Sequence, residues 1–350
     1  MIGATLLTLL AATTAGTPAE HLAPPVGRNI EVAFVLSEGA VMIDFAGPWE
    51  VFQDAMPAAG TTASQMPFEL YTVAPSRAPL HTSGGNRKGM TVVPDFTFED
   101  APRPDVVVVG AQTGGAGLAA WLKKVHAEQA LILSVCTGVF RVAETGLLDG
   151  KAATTYHMAL QRFANQYPGV KVRGSVRYVQ ADPLIVTAGG LSSGIDAALH
   201  VVELYFGRAT AQATADDMEY QGQGWKTNAG AGEQREVPPT IPLVYRDQTT
   251  HWRGVFRPAY PQQQPQLTVV LNLAQAGDHY LATLDVPESQ VLGQPVTVQV
   301  AAAGKISFQV DSDQGPLTFS GKRNGDVISG SIVGGGKSTP LRLLKQPNSS

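Results

Sequence analysis

Cys136 is the sole cysteine of the 350-residue chain. It stands where the apolar run Leu131-Ile132-Leu133-Ser134-Val135 gives way to Cys136-Thr137-Gly138, and Val139, Phe140, Val142 and Ala143 then recur at helical spacing as far as Gly146. A side chain at such a strand-to-helix turn is lifted above the sheet and lies near the positive end of the following helix. That end can pull a thiol below its free pKa of about 8.5 and favour the thiolate, which is the reactive form. The arrangement parallels the nucleophile elbow of hydrolases, with Cys in place of Ser and with Gly138 removing a Cβ from the tight turn. Most free cysteines are instead small buried hydrophobes. Taken alone, the local sequence supports both readings.

The elements that must position this residue alternate in type. Ile30 to Leu36 reads as a buried strand followed by a helix from Pro48 through Ala55. Phe68 to Val73 is a second strand, Thr91 to Val93 a short edge piece, and Val106 to Val109 a near-pure valine strand covered on both faces. That strand ends at Gly110-Ala111, and a helix runs through Trp121 to Val125 before the strand into Cys136. Leu184 to Thr187 leads through Gly189-Gly190 to a helix that stops at Gly207, with Ser193 and Asp196 at capping-box spacing. Strands alternating with helices imply an α/β domain with a parallel sheet, whose chemistry collects at the carboxyl ends of the strands. Gly110 and Cys136 both fall at such ends.

Between Gln221 and Pro242 the composition turns Gly-, Pro- and Gln-rich, and no helical period returns after it. Seven short period-2 runs follow, with a hairpin signal at Asn324-Gly325, and they predict a small antiparallel barrel or sandwich. The expected organisation is a leader over 1–28, an α/β domain over 29–225, a linker over 226–245 and a β-domain over 246–346. The linker should let the two domains move independently unless a large interface forms.

Ile2 to Ala15 carries no charge and is followed by Gly16-Thr17-Pro18-Ala19, a pattern of the apolar core of a secretory signal without its positive leading region. It falls short of the roughly 18 residues that span a membrane, so the expectation is a periplasmic or secreted protein with no membrane span. A free thiol kept in an oxidising compartment is easier to explain if it reacts. The net charge of -4 gives no footprint for nucleic acid. One cysteine excludes an intrachain disulfide and any multi-cysteine metal site, and the seven histidines are scattered, so no metal site is expected.

Several ordered motifs between Val32 and Trp225 resemble the ThiJ/PfpI family of the class I glutamine amidotransferase-like superfamily. They are Asp44-Phe45-Ala46-Gly47-Pro48-Trp49-Glu50-Val51-Phe52, Pro104-Asp105 running to Gly110, Ser134-Val135-Cys136-Thr137-Gly138, Gly146 to Thr155, Ala188 to Asp196, and Met218-Glu219-Tyr220. The first and third look most like the isonitrile hydratase branch, which also includes the sensor domains of some transcription regulators. The resemblance implies a flavodoxin-like three-layer sandwich, no cofactor, a small-molecule substrate and a fold that admits a homodimer. It implies Cys136 as nucleophile, Asp44 as the carboxyl that approaches it and Thr137 as the adjacent residue, with oxyanion amides from Ala111 and Thr137.

Beside the resemblance stand the residues themselves. Asp44 lies eight residues past the first strand, too near the carboxyl edge to be buried in the sheet, and Asp is also a preferred helix cap before Gly47-Pro48. A carboxyl beside a thiol can take or give the one proton a hydration needs. Gly110-Ala111 replaces the family's more usual Pro-Gly-Gly, and an alanine needing positive φ there would carry about 1–2 kcal/mol of strain. Thr154-Thr155-Tyr156-His157 puts Tyr156 where many members have histidine. A one-residue shift on a helix is a rotation of about 100°, which turns His157 from the thiol and disfavours a Cys–His–acid triad. Glyoxal-type or peptidase chemistry, which needs such a base, is the alternative enzyme reading, and a ligand or redox sensor is the non-enzyme reading. The C-terminal strands from Trp252 to Leu344 resemble a small β-domain sometimes fused to hydrolases and have no clear catalytic set of their own.

Overall fold

The computed structural model describes residues 21–57, 66–84, 89–228, 230, 232–257, 266–289, 291–310 and 316–347. The apolar run of the expected leader lies outside them. The first seven principal strands are β1 (Ile30–Val35), β2 (Phe68–Ala74), β3 (Phe96–Thr97), β4 (Val106–Val109), β5 (Leu131–Ser134), β6 (Tyr178–Asp182) and β7 (Ile185–Ala188). They form one sheet in the order β6-β7-β5-β4-β1-β2-β3, parallel throughout except for β6 against β7.

Side chains of a strand alternate between faces, so this sheet has two cores. Val32, Phe34, Val106, Val108 and Leu133 pack on one side with α1 (Met42–Gln53) and α5 (Ser193–Asp217). Ala33, Val35, Val107, Val109 and Ile132 pack on the other with α2 (Leu118–Ala127), α3 (Val139–Ala143) and α4 (Leu160–Gln166). Helices on both faces of a parallel sheet make the expected three-layer α/β sandwich.

Three local expectations are corrected. The first helix begins at Met42 and carries Pro48 inside it, six residues ahead of the expected start. Its N-cap is Val41, so Asp44 is a first-turn residue rather than the cap. The helix that begins at Ser193 ends at Gly207 as expected, at φ 80°, a backbone that glycine adopts without strain, and a second helical segment follows it to Asp217. Ser193 and Asp196 do not form a capping box. Asp196 accepts from the Tyr220 hydroxyl at 3.2 Å and the Trp225 amide at 3.0 Å, and pairs with Arg177. That buried cluster explains the Met218-Glu219-Tyr220 motif as a fastening for Trp225, which is fully buried.

The C-terminal part is a nine-stranded antiparallel sheet, not seven-stranded: β8 (Thr250–Phe256), β9 (Leu267–Ala276), β10 (His279–Val286), β11 (Val291–Pro295), β12 (Thr297–Val300), β13 (Lys305–Val310), β14 (Leu317–Asn324), β15 (Val327–Gly334) and β16 (Lys337–Lys345). Its order is β11-β10-β9-β8-β16-β15-β14-β13-β12. The two outermost strands are consecutive in the chain, joined through Val296, so the sheet curls almost into a barrel around Trp252, Leu271, Phe319 and Leu343. The expected hairpin forms, with Asn324 opposite Val327 across Gly325 at φ 59°.

The Gly- and Pro-rich stretch is tied down. Trp225 enters the first core, Arg235–Glu236 pairs with Arg173 and Gly174 of the strand Lys171–Gly174, and Val237 is buried. Asn165 of α4 accepts the Thr240 amide and donates to the Gly293 carbonyl of β11, bridging α/β domain, connector and barrel. Leu243 and Val244 of the 3-10 turn Leu243–Gln248 are 49% and 75% exposed. Local exposure rather than composition sets where a protease enters. Limited trypsin digestion is therefore expected to cut after Arg246, exposed and outside any strand, before it cuts after half-buried Lys226 or after Arg235, which is exposed but held in a strand, as read by mass spectrometry of the first fragments.

Candidate active site

The carboxyl end of β4 and the first turn of α1 are locked together. The Val41 amide donates to the Ala111 carbonyl and the Ala111 amide donates to Asp44 Oδ2, both at 2.9 Å. Gly110 makes this approach possible, because a Cβ there would lie 2.8 Å from the Asp44 Cβ. Asp44 is consequently 0% exposed, against the expectation that its nearness to the sheet edge would leave it open. The helix that starts early carries the carboxyl down onto the strand end.

Cys136 follows β5 on a one-turn 3-10 segment, Cys136–Gly138, with φ 58°. Positive φ in a residue with a Cβ costs on the order of 1–2 kcal/mol. The Cys136 amide donates to the Gly189 carbonyl at 2.9 Å, and Val135 donates to Val109 at 2.9 Å. Gly138 is required by contact, since a Cβ would fall 2.0 Å from the Val109 carbonyl oxygen. The thiol is 6% exposed and packs within the core of the α1/α5 face.

Thiol and carboxyl meet here. The Asp44 carboxyl is raised from 3.8 to about 6 by burial, partly offset by the Ala111 amide bonded to Oδ2 and by the nearby Cys136 thiol and Leu191 amide, while its buried Oδ1 accepts no hydrogen bond. The Cys136 thiol is pushed up to about 11, first by burial and second by the Asp44 charge, against hydrogen bonds from the Thr137 and Leu191 amides. The expected lowering of the thiol pKa by a helix end is thus overturned. The helix after Cys136 is five residues long, which makes for a weak dipole, and desolvation beside a carboxylate outweighs it. At neutral pH the pair holds its proton on sulfur and its charge on oxygen.

The Ala111 amide, expected to face an oxyanion, is given to Asp44 instead. Ala111 has negative φ, so the anticipated strain does not arise. The amides directed at sulfur are those of Thr137 and Leu191. Leu191, at φ 53°, has no functional side chain, which is why residue types alone do not point to it. The signal available was its place two residues after Gly189, where β7 turns into α5. Its side chain is 45% exposed, so the site has an apolar lip there.

Tyr156 lies across the same lip: a Cβ on Gly190 would meet its Cδ2 at 2.4 Å. Its hydroxyl donates to Met158 Sδ at 3.3 Å. His157 is exposed, its ring edge-to-face with Tyr156 at 4.4 Å between centroids, and it is absent from the groups that set the thiol's pKa. His200 is buried elsewhere, stacked on Tyr178 at 4.5 Å and hydrogen-bonded to Gln180 at 2.9 Å. Among the described residues no cluster of three or more His, Cys, Asp or Glu could hold a metal, and no helix is long and apolar enough to cross a membrane.

A parallel α/β sandwich with a buried acid–thiol pair at adjoining strand ends defines a class of protein, and the comparisons give its family. The DJ-1/PfpI family model matches residues 30–204, half of the chain, and the chain belongs to that family. An isonitrile hydratase from Pseudomonas putida is 29% identical over 200 residues, spanning 55% of this chain and 78% of that protein. The HTH-type transcriptional regulator GbdR of Pseudomonas aeruginosa (strain UCBPP-PA14) is 26% identical over 207 residues, covering 57% of this chain but only 53% of the regulator's length. The solved structure of a ThiJ/PfpI family protein from Pseudomonas syringae superposes with a TM-score of 0.46 at 24% identity, over 60% of this chain and 83% of that one.

Replacing the buried carboxyl tests this electrostatic arrangement. The unfolded carboxyl ionises near 3.8 and the folded one only at about 6, so the native state binds the extra proton. Stability should therefore fall as pH rises between those values, by up to about 3 kcal/mol at about 1.36 kcal/mol per unit. Asp44→Asn keeps an acceptor for the Ala111 amide and removes the charge. Thermal melts should show it more stable than wild type at pH 8, with the gap narrowing at pH 4.

Proposed function

We propose that the chain is a cysteine-dependent enzyme of isonitrile hydratase type, adding water to a small electrophilic carbon. The observation that carries this reading is the isolated pair of Asp44 and Cys136, a proton acceptor against a proton-bearing sulfur, with no histidine among the groups that tune them. The likeness to the Pseudomonas putida isonitrile hydratase supports it. Peptide hydrolysis needs a base that also protonates an amine leaving group, and the exposed His157 is badly placed to serve. Hydration of an isonitrile starts with one proton moved between sulfur and carbon and has no amine leaving group to protonate.

The proposed course follows from the protonation states. Sulfur attacks the terminal carbon of R–N≡C while its proton passes to the Asp44 carboxylate. Asp44 then protonates that carbon, leaving the thioimidate R–N=CH–S–Cys136. Water adds to the same carbon, with one proton going to nitrogen and the oxygen forming the new C–O bond. The C–S bond breaks, the remaining hydroxyl proton returns to sulfur through Asp44, and the N-substituted formamide leaves. Export belongs to the same proposal and draws its support from the uncharged Ile2 to Ala15 run.

Cys136→Ala is expected to abolish turnover of a reactive alkyl isonitrile, and full retained turnover would sink the assignment. Asp44→Asn should lower it about 10²–10⁴-fold. In the wild type, kcat/KM should rise with pH through about 6, as Asp44 ionises, and then level off through neutrality. A flat profile from pH 4.5 to 8 would remove Asp44 from the proton path.

The likeness to transcriptional regulators favours a second reading, a ligand or redox sensor. A thiol held up at about 11 carries little thiolate at neutral pH, which slows oxidation. Mild peroxide at pH 7 followed by intact-mass analysis separates the two. Stoichiometric, reversible sulfenic acid without any isonitrile turnover would move the assignment to the sensor.

A further inference from the structure

Thr155 belongs to the Thr154-Thr155 motif, and nothing in the proposed chemistry uses it. Its side chain is 2% exposed, and its Oγ1 donates to the Cys136 carbonyl at 2.8 Å across nineteen residues of chain. The preceding residue fixes its position. The Thr154 amide donates to Thr187 Oγ1 of β7 at 2.9 Å, and Thr154 Oγ1 donates to the Arg173 carbonyl at 2.7 Å. The hydroxyl of Thr155 is therefore delivered from two strands that are not the strand carrying Cys136.

Cys136 needs such external support. Its φ of 58° is a conformation that a residue with a Cβ leaves readily when unrestrained. The amide side is held by the Gly189 carbonyl at 2.9 Å. The carbonyl side is held by Thr155. We propose that Thr155 is a positioning residue: its hydroxyl clamps the Cys136 carbonyl so that the sulfur stays against Asp44 and the Thr137 and Leu191 amides. The inference rests on Cys136 being the reacting group, although the clamp itself can be measured without turnover.

Thr155→Val removes the hydroxyl at nearly constant volume, and Thr155→Ser keeps it. Because Cys136 is the only thiol of the chain, its alkylation by iodoacetamide can be followed over pH in the whole protein without separation. In the wild type the alkylation rate should climb only towards pH 11. In Thr155→Val the sulfur leaves its buried place beside Asp44, so the burial and the charge that raise it both relax, the climb should shift down towards the ordinary thiol value of about 8.5 and alkylation at pH 8 should rise. Turnover of an alkyl isonitrile should fall in the same variant about 10- to 100-fold in kcat, with KM changed less than about two-fold. Thr155→Ser should restore both profiles, which a mere loss of packing would not do, and melting curves of all variants check that the fold is kept. If the valine variant does not fold, Thr155→Ala is read in its place. An unchanged alkylation profile and kcat in a folded Thr155→Val or Thr155→Ala protein overturns the clamp, as does failure of serine to restore the profile. Absence of isonitrile turnover in the wild type, with the alkylation shift still seen, counts against the proposed reaction and leaves the clamp supported.

Discussion

The site depends on the burial of one carboxylate. Water is removed from Asp44, and in its place the structure gives Oδ2 the Ala111 amide at 2.9 Å and leaves Oδ1 without a hydrogen bond, with the Cys136 thiol and the Leu191 amide nearby. These donors do not fully compensate, so the carboxyl stays raised. The same charge, confined beside sulfur, raises the thiol in turn. Both values rise together and keep their order. That order assigns roles: the group of lower pKa accepts the proton and the group of higher pKa supplies it.

Holding these groups together requires backbone where side chains have no room. Gly110 lets Asp44 down onto β4, and Gly138 lets the turn after Cys136 pass under the Val109 carbonyl. Cys136 and Leu191 take positive φ without being glycine, and each costs on the order of 1–2 kcal/mol. Valine strands buried on both faces and a long α5 form the rigid frame that sustains them. Strain gathered at one strand-end cluster within a well-packed sheet is where function is expected to concentrate. The barrel supplies no residue of the acid–thiol pair.

Much of this was legible in the sequence, and the misses have physical causes. The valine run, the strand before Cys136 and the alternation with helices gave the parallel sheet, because full burial on both faces leaves no polar positions to confuse the pattern. The start of α1 was misplaced because Pro48 reads as a helix beginning, whereas here tertiary packing carries the helix through it. Two barrel strands were missed for a similar reason: Thr250–Phe256 contains Gly254, and Val291–Pro295 contains Gly293 and Pro295, so neither shows a clean period. That Cys136 and Asp44 come together was readable from residue type and motif. The thiol's pKa was not, because it depends on how deeply a carboxylate from another element is buried. Leu191 was invisible for a deeper reason, since it contributes a backbone amide, which every non-proline residue has.

The inverted electrostatics bear on how one thiol could be both durable and reactive. A cysteine activated by a helix dipole exists partly as thiolate and is exposed to any oxidant that reaches it. Here the sulfur keeps its proton at neutral pH, and in the proposed reaction the carboxylate beside it accepts that proton as the new bond forms. On the proposed reading, reactivity is conditional on substrate, since deprotonation and attack are one event. The carbon of the electrophile then takes that proton from Asp44 and completes the cycle. On the proposed reading, the arrangement that makes Cys136 a poor free thiolate is suited to hydration of an isonitrile carbon.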